Sequence, residues 1–314
     1  MNSKSPAGRR RHENLFPKKR SKEFRRKQNK MGGMDAPVKS LPPIFTAHLF
    51  PELEEELIEL LRSLAPEDWE KQTVAPKWKV KDVAAHLLDT QVRKLAAARH
   101  GYTAENSKKL SPAKLVTLIN SLNAEGVRQY SRLHPDQLIL RMESASKESA
   151  EYHQALDPFG TAMFPVSWAG EEESANWFDT AREFTERWHH QQQIRVAVNK
   201  PGIMTREFYF PVLDCFMRAL PYSYRNVSGK SGTLAQFNIS GECGGSWYLL
   251  RDGGAWALIA SPAGEKISEV TIPQEIAWRI FTKGMVLDEA RTQVQATGDE
   301  AVGLHILKMI SIVG

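Results

Sequence analysis

The apolar pattern of this chain changes period once, at Asn199-Lys-Pro-Gly202. Upstream, long segments repeat their apolar residues every three or four positions, the spacing of amphipathic helices. Downstream, short β-type segments are separated by Gly-rich turns. Helices first and a sheet afterwards define the α+β class, because a parallel α/β sheet would need the two to alternate.

The upstream helices can be placed from their punctuation. Pro51 opens a helix to about Leu64, with Leu53, Leu57, Leu60, Leu61 and Leu64 on one stripe. A second covers roughly residues 80–99 and carries Val83, Ala84, His86, Leu87, Leu88, Val92 and Leu95. Ser111-Pro112 supplies N-cap and N1 chemistry for a third, which runs to about Leu133. After His134-Pro135 a more irregular helical stretch reaches Ala155, and residues 157–176 read as a loop carrying Phe159, Phe164 and Trp168. The run from Asp179 to Arg195 has no Gly or Pro and is the fourth long helix. Together these predict a four-helix bundle over residues 41–200, a fold that builds sites inward from facing helices.

Residues 201–314 read as a second domain. A helix over about 206–220 precedes strands at Thr233–Ile239, Ser246–Leu250, Ala255–Ile259 and Val270–Ile272. Asp252-Gly253 is a hairpin turn, so the sheet is expected to be mostly antiparallel. Helical stretches at 274–283 and 299–312 complete this α+β unit.

Charge separates a third region. Residues 1–40 hold 13 Lys and Arg against 3 Asp and Glu, an excess of 10, so the net charge of +5 leaves −5 for the remainder. Such a segment buries too little apolar surface to offset its ordering entropy and is expected to be a disordered basic extension, with Met31 or Met34 as alternative natural starts. No aromatic platform accompanies the charge, so no specific nucleic-acid partner is expected. The chain has no apolar run of the roughly 20 residues a membrane span needs, and its start is too charged for a secretory signal. Cys215 and Cys243 are the only cysteines and lack a metal-type spacing, which points to a reducing compartment, the cytoplasm.

The chemistry concentrates on the fourth long helix. Glu186 and His190 stand four residues apart and project from one face, one turn above the other. A carboxylate and an imidazole so placed form part of a metal site. A catalytic zinc takes three protein ligands of N, O or S type and leaves a position open. His86, on the second helix, is the best third donor, although a lone histidine beside an apolar face also serves as a hydrogen-bonded core residue. The chain carries no His-Glu-x-x-His, no Gly-x-Ser-x-Gly elbow, no dinucleotide fingerprint and no phosphate-loop signature. Of the eight Trp, Trp188 and Trp168 are nearest to where a pocket would lie.

Three segments resemble one family in order. Trp78-Lys-Val-Lys-Asp-Val-Ala-Ala-His-Leu-Leu-Asp89 is similar to the Trp-x-x-x-Asp-x-x-x-His-Leu signature of the mycothiol-dependent maleylpyruvate isomerase N-terminal domain, one of the DinB-like metal-binding four-helix bundles. Glu186-Arg-Trp-His-His190 resembles that family's Glu-x-x-x-His, and Val294-Gln-Ala-Thr-Gly-Asp299 with its following helix resembles the end of its sterol-carrier-like second domain. The resemblance implies that His86, Glu186 and His190 bind a divalent metal, Zn2+ before others. His189 is the rival to His190, and Glu183 a supporting group or substituted ligand. It further implies an enzyme that activates a low-molecular-weight thiol for isomerisation or S-transfer on a small electrophile, with Arg187, Arg195, Arg218 or Arg225 meeting an acidic substrate. The alternatives are a hydrolase using metal-activated water, with Glu183 or Asp89 as base, and a non-catalytic, metal-stabilised ligand-binding module.

Overall fold

The structure is a computed structural model that describes residues 39–101 and 112–312. The basic extension, except for Lys39 and Ser40, and the Ser111 cap lie outside the described residues. Residues Lys39–Gly314 form one compact unit.

The helical half contains α1 (Phe50–Arg62), α2 (Val80–Arg99), α3 (Pro112–Tyr130), α4 (Pro135–Ala155) and α5 (Asn176–Val198). The bundle is made by α1, α2, α4 and α5. Leu57, Leu60 and Leu61 of α1 meet Val83, Leu87 and Leu88 of α2, Leu138, Ile139 and Met142 of α4, and Ile194 and Val198 of α5 in one buried cluster. Helix α3 lies outside it, against α2, with Val116, Leu118 and Leu122 exposed. The close approach of α2 and α3 needs Gly126, since a Cβ there would meet the Asp89 carboxylate carbon at 2.1 Å.

Helix α4 is continuous where the sequence reads as irregular. Its inward positions include Ser146, Ser149 and His153 beside Leu138, Ile139 and Met142, all buried, so polar residues interrupt its buried stripe and its apolar period is broken. Its partners are equally polar: Glu54 of α1, Gln91 and Lys94 of α2, and Asp179, Glu183 and Arg187 of α5 are all buried. Ser146 Oγ donates to Glu54 Oε2 at 2.8 Å and Gln91 Nε2 to Glu54 Oε1 at 3.1 Å. Lys94 Nζ bonds Asp179 Oδ2 at 2.7 Å and lies 3.4 Å from Glu183 Oε1. Buried charge is tolerated only when paired and hydrogen-bonded in this way.

After α6 (Arg206–Met217) the chain forms β1 (Thr233–Ser240), β2 (Gly245–Asp252), β3 (Ala255–Ile259), β4 (Glu265–Pro273), α7 (Gln274–Phe281), α8 (Leu287–Gln293) and β5 (Gln295–Gly298). The sheet order is β3-β2-β1-β4-β5. Only β1 and β4 run parallel; the other pairs are antiparallel. Gly253 and Gly254, at φ 52° and 93°, form the two-residue β2–β3 turn between paired Asp252 and Ala255. Among these elements, α8 and β5 were not expected from sequence. Their sequences, Leu-Asp-Glu-Ala-Arg-Thr-Gln and Gln-Ala-Thr-Gly, are short and mostly polar, so neither period registers. The segment expected as a helix over 299–312 is instead one helical turn at Glu300–Gly303 and a 3-10 stretch to Lys308.

The two halves share one core. Trp188 of α5 stacks on Tyr209 of α6 at 4.3 Å with a 3° interplanar angle, and meets Trp278 of α7 edge-on. Its indole N–H donates to the Ile203 carbonyl at 2.9 Å. Trp188 therefore ties the bundle to the sheet half, and Trp168 packs on Phe178. Among the described residues, no helix is long and apolar enough to cross a membrane.

Candidate metal centre

Each part of the Trp78–Asp89 segment has a physical task. The Asp82 carboxylate accepts the Lys79 backbone N–H at 3.0 Å, closing one half of a capping box at the start of α2. Gln72 and Thr73 side chains bind the Trp78 carbonyl, at 2.8 and 2.7 Å. So anchored, the Trp78 indole lies 4.6 Å from the His86 ring and 5.9 Å from the His190 ring. His86 follows Asp82 by one turn and therefore enters the bundle under that indole.

From the facing helix, α5 presents Glu186, His189 and His190, whose ligand atoms lie within 4.8 Å of one another. This is the single such group among the described residues. His190 Nε2 is 3.7 Å from Glu186 Oε2, and the His86 and His190 ring centroids are 4.6 Å apart. The structure thus sets Glu186 beside His190 and its rival His189, and brings His86, which is not one of that group of three, from α2 against the His190 ring.

Burial sets the protonation of the group. His86 and His189 are held well below the usual imidazole range, and His190 is lowered to about 4, in each case chiefly because the charged ring is desolvated. All three rings are neutral at pH 7 and carry a free lone pair, the form that ligates metals. Desolvation raises the Glu186 carboxyl to about 7, although its side chain keeps 26% exposure. His86 Nδ1 is buried and has no hydrogen-bond partner among the described residues. An orphaned buried ring nitrogen costs about 1–3 kcal/mol unless something binds it. Two imidazoles and a carboxylate with no nearby thiol form a donor set suited to zinc or another first-row divalent ion. Both cysteines are free and buried in the sheet half, Cys215 being pushed up to about 12 by desolvation.

The remaining candidates separate clearly. Arg195 is tied to Glu56 and to the Pro201 carbonyl, Arg218 to Asp214 and the Pro42 carbonyl, and Arg225 to the Tyr222 carbonyl. Arg187 is buried between Glu54 and Ser149, and its positive charge acts on His86, Glu186 and His190. Glu183 sits between Lys94, Arg182 and Arg187, whose charges hold its carboxyl far below the usual range against desolvation. Asp89 accepts from Arg93 at 2.7 Å on the side facing α3. The sequence reading missed the buried Glu54, Gln91 and Lys94 and the Gln193 side chain that meets His190. Their only signal is a polar residue within or beside an apolar stripe, which a surface residue shares.

The model of a family described as "Mycothiol maleylpyruvate isomerase N-terminal domain" matches residues 50–195. Among solved structures, a point variant of mycothiol-dependent maleylpyruvate isomerase is similar over 80% of this chain and 91% of that one, with 11% identity and a TM-score of 0.46. A second structure of mycothiol-dependent maleylpyruvate isomerase covers 74% and 86%, with 12% identity and a TM-score of 0.43. No curated protein matches the chain. Residues 50–195, which contain every residue of the candidate centre, are thus similar to the mycothiol maleylpyruvate isomerase N-terminal domain family.

Proposed function

We propose that the protein is a divalent-metal enzyme, with zinc as its ion, that uses a low-molecular-weight thiol to isomerise or S-transfer onto a small electrophile. His86, Glu186 and His190 are the three protein donors. One observation carries this reading: the unpartnered, buried His86 Nδ1 belongs to a ring 4.6 Å from His190, itself beside Glu186. A bound divalent ion supplies Lewis acidity that holds a thiol as thiolate, its nucleophilic form, at neutral pH.

The chain's own residues prepare the site. Burial keeps His86 and His190 neutral, so neither must lose a proton before donating its lone pair. The Glu186 carboxyl holds a proton near neutrality and gives it up on ligation, so loading the site releases acid. Trp78 lies against both imidazoles and keeps water from that side. Arg187 provides the buried positive charge that favours an acidic substrate over a neutral one. The two free, buried thiols fit a reducing, cytoplasmic setting.

The test is metal quantification on the purified chain followed by a thermal-shift screen of zinc with mycothiol, bacillithiol and glutathione. The reading expects about one metal per chain and a further shift with one thiol only when metal is bound. Turnover of an ester or amide without any thiol would replace it with the hydrolase alternative.

A further inference from the structure

We infer that Gln193 is a positioning residue for the metal centre: its side-chain carbonyl fixes the His190 tautomer and so selects His190 over His189 as the second imidazole donor. The inference rests on the metal reading above and deepens it.

The argument is about where protons sit. Gln193 follows His190 by three residues on α5, which puts the two side chains on one face. His190 Nδ1 lies 3.0 Å from Gln193 Oε1. An amide oxygen only accepts, so Nδ1 must carry the hydrogen. In the neutral ring the lone pair is then on Nε2, and Nε2 is the atom 3.7 Å from Glu186 Oε2. The free lone pair and the carboxylate oxygen therefore share one side of the ring.

His189 is arranged the other way. The nitrogen that it turns to Glu186 Oε2, also at 3.7 Å, is Nδ1. That same Nδ1 lies 3.3 Å from the Thr185 carbonyl, which again only accepts. His189 thus offers Glu186 an N–H, and its lone pair sits on Nε2, the other ring nitrogen. His86 meets the ring of His190 at 4.6 Å, completing the set on the His190 side. Gln193 is itself 7% exposed, so water does not replace its oxygen freely.

The experiment measures Zn2+ affinity of the full-length protein by competition with a chromogenic chelator, together with 15N-detected imidazole NMR of the metal-free form. Gln193→Leu is expected to weaken zinc binding about 10–100-fold, the usual effect of losing a ligand's orienting partner. Gln193→Glu, which keeps an acceptor at the same place, stays within about threefold of the wild type. His189→Gln also stays within about threefold, because His189 is not a donor. In the metal-free spectrum His190 is a single Nδ1–H tautomer, and in Gln193→Leu it becomes a mixture. Circular dichroism of Gln193→Met, closer in shape to Gln, separates a binding defect from misfolding. Wild-type affinity in Gln193→Leu, or a large loss in His189→Gln, overturns the inference while leaving the metal in place. A wild-type protein that binds no zinc overturns the metal reading and this inference with it, before any variant is made.

Discussion

Replacing Lys94 by Met removes the cation at the centre of the buried polar column. Lys94 Nζ is 2.7 Å from Asp179 Oδ2 and 3.4 Å from Glu183 Oε1, and all three side chains are at most 10% exposed. At an effective dielectric constant of about 20, a pair at that shorter distance has a gross attraction of about 6 kcal/mol. Part of this only offsets the cost of desolvating the ammonium group, and Arg182 remains beside both carboxylates. The net loss on removing one partner of a buried pair is about 3–5 kcal/mol, and the remaining arginine puts Lys94→Met at the lower end, about 3 kcal/mol. For a domain of this size that lowers Tm by about 6–12 °C.

The pH dependence gives the sharper reading. Asp179 is held below its ordinary value, as Glu183 is, by Lys94 and Arg182 acting against desolvation. A depressed folded-state value means stability that is present above the unfolded carboxylate range, near pH 4, and is lost as pH falls through the folded values. Lys94→Met removes part of that depression, so the gap between wild type and variant is widest at pH 7 and narrows on acidification below about 4.5. Urea denaturation followed by circular dichroism at pH 7 and about pH 3 measures it. A variant as stable as the wild type at pH 7, or a gap unchanged between the two pH values, refutes the electrostatic account of the column.

Three further outcomes follow from individual contacts. Asp82→Ala removes the acceptor for the Lys79 N–H and lowers stability by about 0.5–1 kcal/mol without changing metal stoichiometry, which separates the signature's aspartate from its histidine. Gly126→Ala places a methyl group against the Asp89 carboxylate, so α3 is pushed off α2; the cost is about 1–3 kcal/mol, and amide exchange rises in residues 112–130 while α5 stays protected. Trp78→Ala uncovers His86 and His190, costs about 2 kcal/mol for a half-buried ring, and speeds metal release to a chelator by at least tenfold.

The sequence made the helix-then-sheet order legible because Gly and Pro punctuate elements whose periods differ. It also displayed Glu186 and His190, since a four-residue spacing on an uninterrupted helix fixes a shared face. It misjudged which helices enclose the bundle. Helix α3 has the cleaner apolar stripe, yet Val116, Leu118 and Leu122 stay exposed, while α4, with Ser146, Ser149 and His153 facing inward, is a wall of the bundle. Periodicity reports apolar interiors, and part of this interior is polar. The same limit hid Glu54, Gln91 and Lys94, whose partners are distant in sequence and meet only in the fold. Gln193 was invisible for a different reason: its effect on His190 depends on which ring nitrogen it touches.

The most direct test is the metal content, by inductively coupled plasma mass spectrometry, of the wild-type protein, His86→Ala and His190→Ala purified side by side. The account predicts about one divalent ion per wild-type chain and at least a tenfold loss in each variant, both remaining folded by circular dichroism. Equal metal content in all three proteins, or none in the wild type after growth with added zinc, would contradict it.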